Sequence, residues 1–109
     1  MLKKQNRLTV NEFKESFAKG RRFHNELATL VHIPGTTFKS AVVVSGKITN
    51  VKPVRNKLRR QVYEILRSFL KVKPYTGTYI FLLKKEALTA TYATLSESII
   101  KLISKQLSN

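Results

Sequence analysis

The chain has 109 residues, enough for one domain with a modest core. Its 21 Lys and Arg outnumber its 6 Asp and Glu, leaving a net charge of +15, and 42% of its residues are hydrophobic. That apolar content excludes a disordered body, the lack of cysteine excludes disulfides and thiolate or cysteine–zinc chemistry, and no apolar run approaches the roughly 18 residues of a membrane span.

A charge of this size repels itself in a compact body, and a polyanion relieves the repulsion. The expected partner is a nucleic acid, bound with release of counterions and hence more weakly as salt rises. An anionic membrane is the other large polyanion. No long basic amphipathic helix with exposed Trp or Leu supports it. The absence of cysteine fits a reducing cytosol, and no apolar secretion segment follows the basic start MLKKQNRLT, so a cytoplasmic location is expected. No repeat, low-complexity tract or linker divides the chain, which reads as one domain over 1–109.

Residues 1–8 read as a basic extended arm. Thr9 and Glu12 have capping-box spacing, and the helix they open runs from Val10 to Lys19. Gly20 is expected to close it in the left-handed conformation. Val10, Phe13 and Phe17 form its apolar stripe. Phe13 and Phe17 read as core, with the alternative that one edge of the pair stays open for bases to stack on. Arg21 and Arg22 are a basic pair at the helix exit.

Leu27 to Ile33 and Phe38 to Ser45 are rich in β-formers and flank Pro34-Gly35, so they are expected to pair as an antiparallel hairpin. A further short strand could lie within Lys47 to Val51. Lys52 to Lys73 is a long helix with Pro53 in its first turn. Val54, Leu58, Val62, Ile65, Leu66 and Phe69 give it one apolar face. Lys52, Asn56, Arg59, Arg60, Tyr63 and Arg67 project opposite. Its first nine residues hold Lys52, Arg55, Lys57, Arg59 and Arg60 with no acid, and Glu64 is the only acid of the segment. Solvated faces usually mix signs. An Arg-rich face glued to a core is a surface for phosphates, which the planar guanidinium can hold through two hydrogen bonds. After Gly77, the continuous apolar run Thr78 to Lys84 reads as a buried strand. Leu88 to Leu107 reads as a last helix, with Leu95, Ile99, Leu102 and Ile103 inward and Lys101 and Lys105 outward. The order predicts an α/β sandwich, one sheet with helices on one face.

No hydrolytic site is legible. The chain has no Asp, and Glu12, Glu15, Glu26, Glu64, Glu86 and Glu97 are scattered rather than paired for two metals. His24 and His32, the only imidazoles, read as ordinary loop or strand-end residues outside any acid/base pair. No catalytic residue and no metal ligand is expected.

The segments NRLTVNEFKESFAKGRR, VVVSGKI, RNKLRR and TYIFLLK, in this order within a small basic chain, resemble the bacterial ribonuclease P protein subunit. The most specific is Arg55-Asn56-Lys57-Leu58-Arg59-Arg60, similar to that family's signature Arg-Asn-Arg-x-Lys-Arg. Thr49-Asn50 stands where the family usually has Gly-Asn, Tyr63 where a further Arg is common, and the last strand lacks an acid often found at its start. The resemblance implies a two-layer α/β (α+β) sandwich with a central, mostly antiparallel sheet and three helices. That fold is ribosomal-protein-S5-domain-2-like, with a left-handed crossover that the usual right-handed rule would miss. It implies a partner RNA that carries the catalysis with Mg2+ ions held mainly on that RNA, removal of the 5′ leader from precursor tRNA, and no required protein partner. By position, Lys47, Asn50, Arg55, Asn56, Lys57, Arg59 and Arg60 match RNA-contacting sites, with Lys52 and Arg67 on the same helix. Phe13, Phe17 and Arg7 match the border of a leader cleft between the sheet and the first and signature helices. A structural RNA-binding protein of ribosomal type, with no leader cleft, is the alternative. A helix-turn-helix reader of duplex DNA is disfavoured because strands precede the basic helix.

Overall fold

The computed structural model describes residues 8–36, 38–45, 47–72 and 76–108. Most of the basic arm, Arg7 included, lies outside the described residues. Helix α1 spans Val10–Lys19 and starts at the expected box: Glu12 N donates to Thr9 Oγ1 at 3.2 Å, and Thr9 N donates to Glu12 Oε1 at 3.0 Å. Strands β1 (Arg21–His24), β2 (Ala28–Ile33) and β3 (Phe38–Val43) follow. Helix α2 (Lys52–Val72), strand β4 (Gly77–Leu83) and helix α3 (Tyr92–Ser108) complete the chain.

The expected hairpin does not form. The sheet order is β1-β2-β4-β3, so β4 inserts between the two strands. It pairs antiparallel with β2 and parallel with β3, and β1 pairs antiparallel with β2. β4 is apolar on both faces and belongs at the centre, whereas β3 alternates and tolerates an edge. Stepping over one strand takes about 10 Å, within reach of residues 34–37. Helix α2 then makes the crossover between the parallel pair β3 and β4. Residues 47–51 form no strand; the fourth strand is instead β1, which holds Arg21 and Arg22.

Register assigns the faces. Phe23, Leu30, Phe81 and Val42 stand in one row across the sheet. They pack with Leu58, Val62, Ile65 and Leu66 of α2 and Leu95, Ile99, Leu102 and Ile103 of α3. This two-layer body is the main core. Val54 is 38% exposed and falls outside it, because the helix has not yet reached the sheet. Helix α3 begins at Tyr92 rather than Leu88, since Lys85–Leu88 forms a short 3-10 turn. Thr91 Oγ1 accepts from Thr94 N at 3.2 Å at the helix start.

Helix α1 takes the other face. Val31 and Ile80 are buried but stand outside the main core cluster. A Cβ on Gly20 would lie 2.4 Å from Val31 Cγ1 and 2.9 Å from the Ser16 carbonyl oxygen. The helices therefore flank the sheet on both sides, not on one. Gly20 has φ −69°, so close packing of α1 on β2, not a left-handed turn, requires glycine there. Gly77 is the one described glycine with positive φ, +107°, and a Cβ there would meet the Ile33 carbonyl at 2.7 Å.

Candidate RNA-binding surfaces

The first surface is α2. No acidic residue stands in its first turn. Lys47, Asn50, Lys52, Asn56, Lys57, Arg60 and Arg67 are exposed, and Arg55 and Arg59 are half-buried. Arg59 Nη2 donates to Asn56 Oδ1 at 2.9 Å, which aligns the amide and the guanidinium on one flank. Arg67 pairs with Glu64 at 3.2 Å. Arg55 Nε is buried with no hydrogen-bond partner among the described residues. Tyr63, expected among the polar residues of the helix, instead packs against the rim of the core. The apolar face anchors this array, and its charges face outward.

The second surface lies between α1 and the sheet face it partly covers. Phe13 and Phe17 stack with ring centroids 5.8 Å apart. Both are half-buried, so the pair is packed on the sheet without being sealed from solvent. Arg22 lies over the Phe17 ring at 4.5 Å and donates to the Phe17 carbonyl at 3.1 Å. On the opposite flank of α1, Glu12 pairs with Lys39 of β3. The hydrogen bond from Lys39, followed by that from the Thr9 amide, holds the Glu12 carboxyl down to about 2. The helix is thus fixed at both flanks. Register places the next row of this face as His24, Thr29, Leu82 and Val43. Leu82 and Val43 are half-buried, and His24 Nδ1 lies 2.9 Å from Thr29 Oγ1. An apolar strip flanked by stacked rings and an arginine suits unstacked bases and a phosphate chain. Helix α2 is on the other side of the sheet and reaches this strip only through its connection to Val43, so it is not a full wall of the cleft.

Among the described residues, no group of three His, Asp or Glu side chains is placed to hold a metal ion. Glu12, Glu15, Glu64 and Glu97 each pair with a cation. No helix among the described residues is long and apolar enough to cross a membrane.

Residues 2–106 match the family model Ribonuclease P. The chain belongs to the ribonuclease P protein family. It is 30% identical over 110 residues to the ribonuclease P protein component of Petrotoga mobilis, covering 94% of this chain and 92% of that one. It is 42% identical over 66 residues to the component of Mycoplasma mycoides subsp. mycoides SC, or 60% of each chain. The fold matches the solved RNase P protein of Staphylococcus aureus with a TM-score of 0.83 at 19% identity, over 93% of this chain and 94% of that one. It matches that of Thermotoga maritima with a TM-score of 0.79 at 24% identity, over 91% and 96%. At these identities the likeness establishes the shared α+β fold.

As a ribonuclease P protein, the chain carries more on its surfaces than the signature names. Arg22 and Lys39 were missed as site-forming residues. Alternation in RRFH would have separated Arg22, beside Phe17, from Arg21, on the face of buried His32. Lys39 is the one charged residue inside its strand and takes the face that receives α1.

Proposed function

We propose that this ribonuclease P protein binds the ribonuclease P RNA through the cationic flank of α2. The strip between α1 and the sheet receives the 5′ leader of precursor tRNA. Together protein and RNA remove that leader by endonucleolytic cleavage, in the cytoplasm. The observation that carries the reading is an array of outward cations, Lys52, Lys57, Arg59 and Arg60, on a helix anchored by its other face. Lys47, Asn50, Arg55, Asn56 and Arg67 extend it.

The protein's part is electrostatic and steric. Its cations lower the repulsion between two RNAs, and the Phe13–Phe17 pair and Arg22 hold single-stranded leader by stacking and charge. Arg7, by resemblance, joins the leader site. The hydrolysis needs a metal-activated water; among the described carboxylates Glu12, Glu15, Glu64 and Glu97 are held in ion pairs, and no three metal-ligating side chains gather for that role. Mg2+ in this reading belongs to the RNA.

Reconstitution tests the proposal. The protein with its cognate RNA is expected to cleave precursor tRNA at low magnesium, where either component alone does not. No stimulation of the RNA, or cleavage by the purified protein unaided, would overturn it. The ribosomal-type alternative is separated by Phe13→Ser with Phe17→Ser: affinity for leader-bearing precursor should fall as the leader lengthens relative to native protein. Equal affinity at every leader length would favour the alternative.

A further inference from the structure

A third feature lies on the outer side of the helical layer, across the sheet from the leader strip. Between α2 and α3 run two adjoining open hollows of about 370 and 340 Å3, in the size range that receives a small organic group. Tyr92, the first residue of α3, lines both. Its side chain is 46% exposed, and among the described residues it is the one aromatic of the exposed large hydrophobics. Beside it in the first hollow stand Lys57, Arg60 and Glu64. Arg67 engages Glu64. Lys57 and Arg60 make no hydrogen bond or ion pair with a described residue. An open ring therefore sits next to two unpaired cations, and the one carboxylate of the wall is neutralised.

We propose that this groove seats an unpaired nucleotide of the ribonuclease P RNA, with its base stacked on Tyr92 and its flanking phosphates on Lys57 and Arg60. The proposal rests on the reading that α2 meets that RNA. It extends the interface from the flank of Asn56 and Arg59 around to the flank facing α3. The RNA then grips α2 from two sides, while the leader strip stays free on the other face of the sheet. Stacking on an aromatic ring and contact with a phosphate are both sequence-tolerant, so the groove selects an exposed base rather than a particular one.

Binding of ribonuclease P RNA to the native protein, Tyr92→Phe, Tyr92→Ala, Lys57→Gln and Arg59→Ala provides the test. Tyr92→Ala is expected to weaken affinity about tenfold, while Tyr92→Phe keeps the ring and stays close to native. Lys57→Gln, a change at an exposed side chain, should lower the salt slope by about one. A photo-crosslinking side chain at position 92 should join to one short stretch of the RNA. Native affinity for Tyr92→Ala and a native slope for Lys57→Gln, with Arg59→Ala weakened, would remove the groove alone. Native affinity for all the variants would remove the α2 interface itself. A crosslink to a second copy of this chain would reassign the groove to protein contact and overturn the proposal.

Discussion

An added methyl at position 20 has nowhere to go. Val31 Cγ1 could rotate away, but the Ser16 carbonyl is helix backbone and cannot move without shifting α1. Gly20→Ala is therefore expected to destabilise by about 1–3 kcal/mol, read as a lower urea midpoint. An unchanged midpoint would mean that α1 is loosely docked. His32 presents a second test. It is buried against Tyr79, at 4.7 Å between ring centroids. Burial first, and the charge of Arg21 second, hold its imidazole below the usual 6.5. The folded chain keeps it neutral where the unfolded chain takes up a proton. Its contribution is thus intact above pH 6.5 and is lost as pH falls below that value. The melting temperature should drop from pH 7 to pH 5, and His32→Leu should shed part of that drop. An identical drop in the variant would contradict the assignment. Residue types alone left both histidines as loop or strand-end residues; His24 closes β1 and His32 is next to last in β2. Burial of one and exposure of the other depend on which strand covers them, which no local pattern states.

At the scale of elements, α2 separates two kinds of energy. Ile65 is 3% exposed, and truncation to Ala removes packed methylenes on the core side. The expected loss is about 2–5 kcal/mol in unfolding free energy. Arg59→Ala, on the other flank, should leave the melting temperature near native and weaken RNA binding. Equal stability losses for the two would mean that the basic flank is structural. The helices were largely legible because 3.6-residue periodicity and capping chemistry are local. The Thr9–Glu12 box, the α3 stripe and the α2 stripe from Leu58 onward stand where the pattern puts them, and only Val54 departs from it. Strand partners were not legible. Pro34-Gly35 is a turn signal for a neighbour, yet β4 enters between the strands it joins. The continuous apolar run of β4 did carry the clue, since a strand buried on both faces belongs in mid-sheet. The side of the sheet taken by α1 was hidden too. It depends on Glu12 reaching Lys39 and on Gly20 fitting against Val31, both contacts between distant elements.

Over the whole molecule, +15 charges sit on a body of 35 × 28 × 24 Å. Few of the cations are spent internally: the ion pairs seen among described residues use Lys19, Lys39, Arg67 and Lys101. Lys84 and Lys105 donate to backbone carbonyls, while Lys52, Lys57 and Arg60 of α2 stay exposed to a polyanion, and family membership names the class of RNA. The fold class and the outward cations of α2 could be read from residue order, because a small basic chain with these motifs leaves few other assignments. The geometry of the strip between α1 and the sheet could not, since it is made by register across strands and by a helix packed from the far end of the chain.

The salt dependence of binding to ribonuclease P RNA probes the α2 interface most directly. Affinity should fall steeply and linearly on logarithmic axes as salt rises, with a slope set by the number of phosphates neutralised. Replacing Arg59 by Ala should make that slope shallower by about one while the fold stays intact. A variant with the native slope and affinity would contradict the claim that the cationic flank of α2 is where this protein meets its RNA.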